Sequence, residues 1–293
     1  MMSLFDSYPI IKSPLNYTGG KYKLLPQLLP LFPQNINTFV DLFAGGCNVG
    51  VNAHAKKIIC NDIIPYLIQI FNVFKETDNS LITEYINKRI AEYSLSATNE
   101  AAYKTFRQQY NDNPNPLDLY ILIAHSFNYQ LRFNSHHHYN NPFGKTNSTF
   151  NAVMRKNLNL FLDRVKSLDI SFVCNDFLYF DFSAISADDF IYCDPPYLIS
   201  TGAYNDGKRG FKGWSEADEH QLLAMLEAFD KKGIRFALSN VLFHKGKTNH
   251  ILIDWIYKHK FSVAHLKKNY AASSYHTFDR NKNGSDEVLI MNY

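Results

Sequence analysis

The stretch Thr38-Phe39-Val40-Asp41-Leu42-Phe43-Ala44-Gly45-Gly46-Cys47-Asn48-Val49-Gly50 constrains the fold more than any other part of the chain. An apolar strand breaks into a glycine turn, and the turn leads into a predicted helix. That is the first strand–turn–helix unit of an open α/β sheet, which binds a nucleoside at its carboxyl edge. The next run, Lys57-Ile58-Ile59-Cys60-Asn61-Asp62, reads as a second strand ending in an acid. Asp62 is placed there to accept both hydroxyls of a ribose; a helix N-cap aspartate is the other reading. The spacing of Gly45, Gly46 and Gly50 is not the dinucleotide fingerprint, and no phosphate-loop Lys-Ser/Thr follows. The turn therefore suits a nucleoside without a pyrophosphate.

A later strand end carries the chemistry. The apolar run Phe190-Ile191-Tyr192-Cys193 predicts a buried strand that delivers Asp194-Pro195-Pro196-Tyr197 to the same sheet edge. Two successive prolines lack N–H groups and fix φ, so the backbone is stiff. The Asp194 carboxylate and the Pro195 carbonyl can both accept from one exocyclic amine while Tyr197 stacks on the ring that carries it. The tetrapeptide suits a planar amino-heterocycle. Taken alone, it also fits a proline-rich turn with aspartate as turn former.

Upstream, residues 1–13 read as a loose lead-in. Asn16-Tyr17-Thr18-Gly19-Gly20-Lys21 then offers a ring at Tyr17, backbone open to a ligand, and at Lys21 a positive charge suited to a carboxylate. A helix is predicted over 24–31, so a plain glycine turn before a helix is the alternative. Residues 66–126 show helical apolar periodicity, with Asn111 to Pro116 as a loop. Phe127 to Lys145 mixes Asn, Gln, Arg, Lys, His and aromatics; Gln, Asn and Arg pair bidentately with base edges, and Tyr129 can wedge into a stack. The run His136-His137-His138 suits a phosphate-facing or solvated loop better than a metal, because three adjacent histidines do not readily share one ion. After a helix over 151–167, Ile170 to Phe177 predicts a strand with an acidic end; Asp176 can accept from an adenine amine and Phe177 can cover its ring. Residues 198–213 suit a mobile loop, and Ser215 with Asp218 predicts a capping box. Strands over 235–241, 261–267 and 287–293 close the sheet, with a polar loop at 270–284 between the last two.

With 46% hydrophobic and 19% charged residues the chain is globular rather than disordered. Its net charge of +3 permits a polyanionic partner without demanding one. Cys47, Cys60, Cys174 and Cys193 sit at no metal-ligand spacing and read as small buried hydrophobes of a reducing compartment. No signal peptide or membrane span is expected, which places the chain in the cytoplasm.

In kind and order, these motifs resemble the Dam-type (α-class, D12 class) DNA adenine N6-methyltransferases. The resemblance runs through Tyr17-Thr18-Gly19-Gly20-Lys21, Asp41 to Gly46, Asn61-Asp62, Asn128 to Asn134, Asn141 to Gly144, Asp176-Phe177, Asp194 to Tyr197, Ser239-Asn240 and Asp286 to Ile290. It implies a Rossmann-like methyltransferase α/β fold: a mixed sheet with one antiparallel strand, plus a helical target-recognition insertion. Residues 1–65 and 147–293 would form the catalytic domain and 66–146 the recognition domain. It implies S-adenosylmethionine as cofactor, held by Tyr17, Lys21, Asp41, Phe43, Gly45, Asp62, Asp176, Phe177 and Asp194, with no metal. Asp194, Pro195, Pro196 and Tyr197 would form the target-base site. Asn16, Asn128, Tyr129, Gln130, Arg132, Asn134, Pro142 and Lys145 would contact duplex DNA. Asn16, Gln130 and Lys145 depart from the GATC-specific pattern while Arg132 matches it, so the resemblance implies a four-base palindrome such as CATG or GATC. Restriction-associated relatives share the motif order, which implies a separately encoded cognate endonuclease. Methyl transfer to N4 of cytosine or to RNA adenine, and a catalytically silent DNA-binding module, are the rival expectations; the intact Asp194, Asp62 and Lys21 argue against the last.

Overall fold

Successive side chains of β1 (Ile36–Asp41) and β4 (Phe190–Cys193) enter opposite layers. Phe39, Phe190 and Tyr192 join one buried cluster; Val40, Ile191 and Cys193 join the other. A strand covered on both faces reads as a continuous apolar run, which is the pattern of the sequence here. The computed structural model describes residues 9–145, 148–203, 213–267 and 284–293. The sheet is completed by β2 (Ala55–Asn61), β3 (Ile170–Val173), β5 (Arg235–His244), β6 (Lys247–Thr248), β7 (Ser262–Leu266) and β8 (Ser285–Met291), in the order β3-β2-β1-β4-β5-β8-β7. β3 through β5 run parallel, and β8 is antiparallel to both β5 and β7. This is the expected mixed sheet, with two-residue β6 folded back on β5 as an addition.

One layer holds short α1 (Leu25–Leu28) with α2 (Pro65–Glu76), α3 (Asn79–Glu92), α4 (Glu100–Asp112), α5 (Pro116–His125) and α6 (Ala152–Ser167). Phe71 of α2 stacks on Phe172 of β3, centroids 5.1 Å apart, so the helical segment and the sheet share one core. The other layer holds α7 (Glu216–Lys231) and α8 (His250–His259). The capping box at α7 forms as expected: Ser215 and Asp218 bond each other's backbone N–H groups. No described helix is long and apolar enough to cross a membrane.

Several expectations need correction. The helix over 24–31 is four residues of α-helix between two 3-10 turns, because Pro26 and Pro30 each remove a donor and restart the chain. The glycine turn leads not into an α-helix but into a 3-10 turn, Gly50–Asn52; β2 begins at Ala55 and leaves no length for more. The strand predicted to reach Phe177 stops at Val173, where the Asp176 side chain caps a 3-10 turn, Phe177–Tyr179. Residues 9–13 are not loose: Ile11 and Ser13 are buried, and their N–H groups donate to Asn52 and Asn48. Cys174 is exposed, not buried. Within the loop predicted at 198–213, Leu198–Ala203 forms a 3-10 helix and 204–212 lie outside the described residues, as does most of the loop predicted at 270–284.

Candidate active site

Parallel strands β2, β1 and β4 end together at one edge, and β1 lies between the other two. At such a switch point the two neighbouring connections leave in opposite directions and open a crevice. Asp194 follows β4 directly, and the stiff prolines turn the chain so that Tyr197 comes back over it: its hydroxyl lies 3.1 Å from Asp194 Oδ1. Lys21 reaches in from the first glycine turn, its Nζ 2.7 Å from the same Oδ1 and 5.0 Å from the centre of the Tyr197 ring. A fourth group completes the cluster. Glu287 Oε1 is 3.2 Å from the Tyr197 hydroxyl and 3.6 Å from Lys21 Nζ. Glu287 stands near the start of β8, opposite Val241 of β5. An antiparallel strand brings its amino end to the carboxyl edge of its parallel neighbours, and that is how the last strand reaches this site. Glu287 is not among the expected site residues, although the Asp286 to Ile290 motif contains it; an acid near the start of an otherwise apolar closing strand was the available signal. Burial pushes the Asp194 carboxyl above its ordinary pKa and Glu287 adds to the effect, while Lys21 and the Tyr197 hydroxyl oppose it.

Lys21, read in the sequence as a charge suited to a carboxylate, lies on the carboxylates of Asp194 and Glu287. Tyr17 packs against the second glycine turn. Gly45 has φ +48°, and a Cβ there would stand 2.8 Å from the Tyr17 ring, so the turn tolerates no side chain. Asp62 accepts from the N–H groups of Gly45 (2.8 Å) and Ile64 (2.9 Å), one on each oxygen. Each oxygen keeps a second lone pair. Phe43, Phe177 and Trp214 form an aromatic wall with centroids 5.4–5.7 Å apart. Trp214 was not anticipated; the fully buried Glu219 takes its indole N–H at 2.7 Å. Asp176 lines the same crevice beside Phe177. Asn61 ties the strand ends, donating to Leu42 and Asn175 carbonyls and accepting from the Asn175 N–H.

Asp41 holds the glycine turn from beneath. Its Oδ2 accepts from Gly50 N–H at 2.9 Å, while the buried Oδ1 has no partner among the described residues. Burial, with Asp194 and Asp62 nearby, raises its pKa to about 8 against the bond from Gly50. The folded chain thus holds a proton that the unfolded chain has lost above its ordinary value of 3.8. This contribution to stability is complete below that value and disappears as pH rises through about 8. Asp41→Asn keeps an acceptor for Gly50 and cannot ionise. Urea unfolding at pH 5 and pH 9 is therefore expected to give a smaller loss of stability with pH in the variant than in the parent; equal losses would contradict the assignment.

The expected DNA contacts gather in one segment. Isolated bridges pair Ser126 with Phe143 and Phe133 with Tyr139, making an irregular hairpin. The buried Asn141 amide pins it, donating to Ser126 Oγ and to the carbonyls of Phe127 and Gln130. Phe133 stacks on Tyr66 with centroids 4.0 Å apart. Asn128, Arg132, Pro142 and Lys145 are exposed. Asn16, at the crevice rim, donates to the Asn128 carbonyl at 3.1 Å and joins the hairpin to the pocket. Asn134 accepts through Oδ1 from the N–H groups of His136 and His138 and shapes the histidine tip. Asn128, Tyr129, His137 and Lys145 all have positive φ, a strained backbone of the kind that collects at binding segments. No cluster of metal-ligating side chains occurs among the described residues.

A crevice at the sheet edge that ends in a half-buried Asp-Pro-Pro-Tyr turn, with a polar hairpin at its rim, defines a class. The chain belongs to the D12 class N6 adenine-specific DNA methyltransferase family, whose model matches residues 17–272. It is 53% identical over 283 residues to modification methylase StsI of Streptococcus sanguinis, and 50% identical over 283 residues to the Type II methyltransferase M.FokI of Planomicrobium okeanokoites. Each match covers 97% of this chain and 43% of the relative, so the chain spans less than half the length of these two proteins. Against the Type II methyltransferase M.MjaIII of Methanocaldococcus jannaschii it is 28% identical over 305 residues, covering 97% and 99%.

Proposed function

We propose that the chain transfers a methyl group from S-adenosylmethionine to N6 of adenine within a short sequence of duplex DNA. One observation carries this: the Asp194–Tyr197 turn closes the end of a nucleoside crevice, with Lys21 and Glu287 fixed against it. The crevice suits the cofactor. Phe43, Phe177 and Trp214 offer aromatic surface to its adenine, Asp176 an acceptor for the amine, and Asp62 its remaining lone pairs to the ribose. When bound, S-adenosylmethionine supplies the activated methyl group. The protein's part is to position and to stabilise charge.

The target amine is out of reach inside a base stack, so the adenine must leave the duplex. Tyr197 then stacks on the base. Among the described residues the Asp194 contacts with Lys21 and Tyr197 fall on Oδ1, which leaves Oδ2 and the Pro195 carbonyl to accept from the N6 amine. Accepting both amine protons favours a pyramidal nitrogen whose lone pair faces the methyl group. Asn16, Asn128, Tyr129, Gln130, Arg132, Pro142 and Lys145 supply the duplex contacts, with the hairpin entering where the base has left. The relatives named as modification methylase and Type II methyltransferase support a role in restriction–modification; a separately encoded endonuclease and action in the cytoplasm are parts of the same proposal.

The test is incubation with S-adenosylmethionine and unmethylated genomic DNA, followed by single-molecule mapping of modified bases. N6-methyladenine at one short motif is expected, and the map also reads whether that motif is a palindrome. N4-methylcytosine would keep the site and overturn the base; no mark with cofactor bound would overturn the reaction.

A further inference from the structure

Glu287 lies beside the catalytic turn, within the closing Asp286 to Ile290 motif, yet it is not among the residues expected to bind cofactor, target base or DNA. We propose that Glu287 is a positioning residue that raises the proton affinity of Asp194, so that Asp194 takes the proton N6 must lose. This deepens the methyl-transfer reading and rests on it. The step balances simply. The N6 lone pair forms the new N–C bond, the electron pair of the broken bond stays with the leaving group, and N6 gives one proton to Asp194.

The geometry supports a coupled pair of carboxylates. Glu287 is 3% exposed, and a single hydroxyl joins it to Asp194: Tyr197 lies 3.1 Å from one carboxylate and 3.2 Å from the other. That hydroxyl has one proton and can donate to only one of them at a time. Two carboxylates so placed resist holding two negative charges, and the first proton is bound more readily than either would bind it alone. Lys21 works the other way but unequally, 2.7 Å from Asp194 and 3.6 Å from Glu287. It holds Asp194 ionised before transfer, while Glu287 makes the same carboxylate a better acceptor once N6 carries the charge. Positive charge moves onto N6 during transfer, and a second carboxylate close by favours that movement. Among the described residues, Asp41, Tyr192 and Cys193 are also coupled to Asp194, from behind it on the sheet. None of them shares the Tyr197 hydroxyl with Asp194.

Glu287→Gln preserves shape and the bond from Tyr197 while removing the charge. Carboxyl ¹³C NMR of the full chain, with Asp194 assigned from Asp194→Asn, is expected to show the Asp194 midpoint moving to lower pH in Glu287→Gln. In single-turnover transfer, the acid limb of the pH profile is expected to move the same way. The plateau rate is expected to fall about tenfold, with KM for DNA unchanged. An unmoved Asp194 midpoint in folded Glu287→Gln would overturn the proposal. Absence of transfer in the parent chain would instead overturn the methyl-transfer reading, and the NMR titration would still decide the coupling.

Discussion

Asp194→Asn is expected to slow methyl transfer by roughly a hundredfold to a thousandfold, the loss typical when one preorganised electrostatic contact is removed from an active site. Asparagine is nearly isosteric and also favours turns, so the substitution separates chemistry from architecture. If Asp194 only shaped the turn after β4, the variant would transfer methyl groups almost as fast as the parent. If it faces the amine, its charge is lost, and the incoming amide group either presents donors to a donor or leaves Lys21 without its closest partner. Lys21 keeps Glu287 at 3.6 Å, so the fold is expected to survive. The decisive measurement is the single-turnover rate with saturating DNA and cofactor, alongside a melting curve. A rate within about threefold of the parent, far smaller than the loss of one such contact, would refute the assigned role.

Lys21→Met is expected to have the second largest effect, on stability as well as rate. Lys21 is 4% exposed and bridges the half-buried Asp194 carboxylate and the buried Glu287 carboxylate. Methionine replaces the apolar stem and removes the ammonium. Breaking a buried pair by deleting one partner costs about 3–5 kcal/mol, because the remaining charge stays buried without compensation. The pKa of Asp194 is already raised in the folded protein, and Lys21 lowers it. Without Lys21 it rises further. An acid with a raised folded pKa gives stability that is present below its unfolded pKa and lost as pH rises through its folded one. The variant should therefore lose more stability than the parent between acidic and alkaline pH. Transfer needs ionised Asp194, so the acid limb of the rate profile should move to higher pH, opposite to Glu287→Gln. A profile that stays in place would show that Lys21 does not control Asp194.

Much of the sheet was legible because its signals are local. Phe190 to Cys193 is apolar at every position, which only a strand covered on both faces requires. The Ser215–Asp218 capping box spans one helical turn and needs nothing distant. The short 3-10 turns were not legible. The apolar periodicity over 24–31 reads as a helix unless Pro26 and Pro30 are given the weight of two chain breaks. Nor was the cap at Asp176, which competes with the strand for the same residues.

By itself, the sequence determined that a glycine turn follows the first strand, that an acid ends the second, and that Asp194-Pro195-Pro196-Tyr197 follows a buried run. Each follows from neighbours in the chain: side-chain alternation, a missing Cβ, a missing N–H. Only the tertiary structure decided what these pieces meet. Lys21 could as well have faced a ligand; it faces Asp194, because the first glycine turn packs over the end of β4. Glu287 enters the site only because β8 runs against its neighbours and lies beside β5, which carries its first residues to the edge where the parallel strands end. Strand direction and order follow from packing across the whole chain, and no local pattern around Glu287 records them.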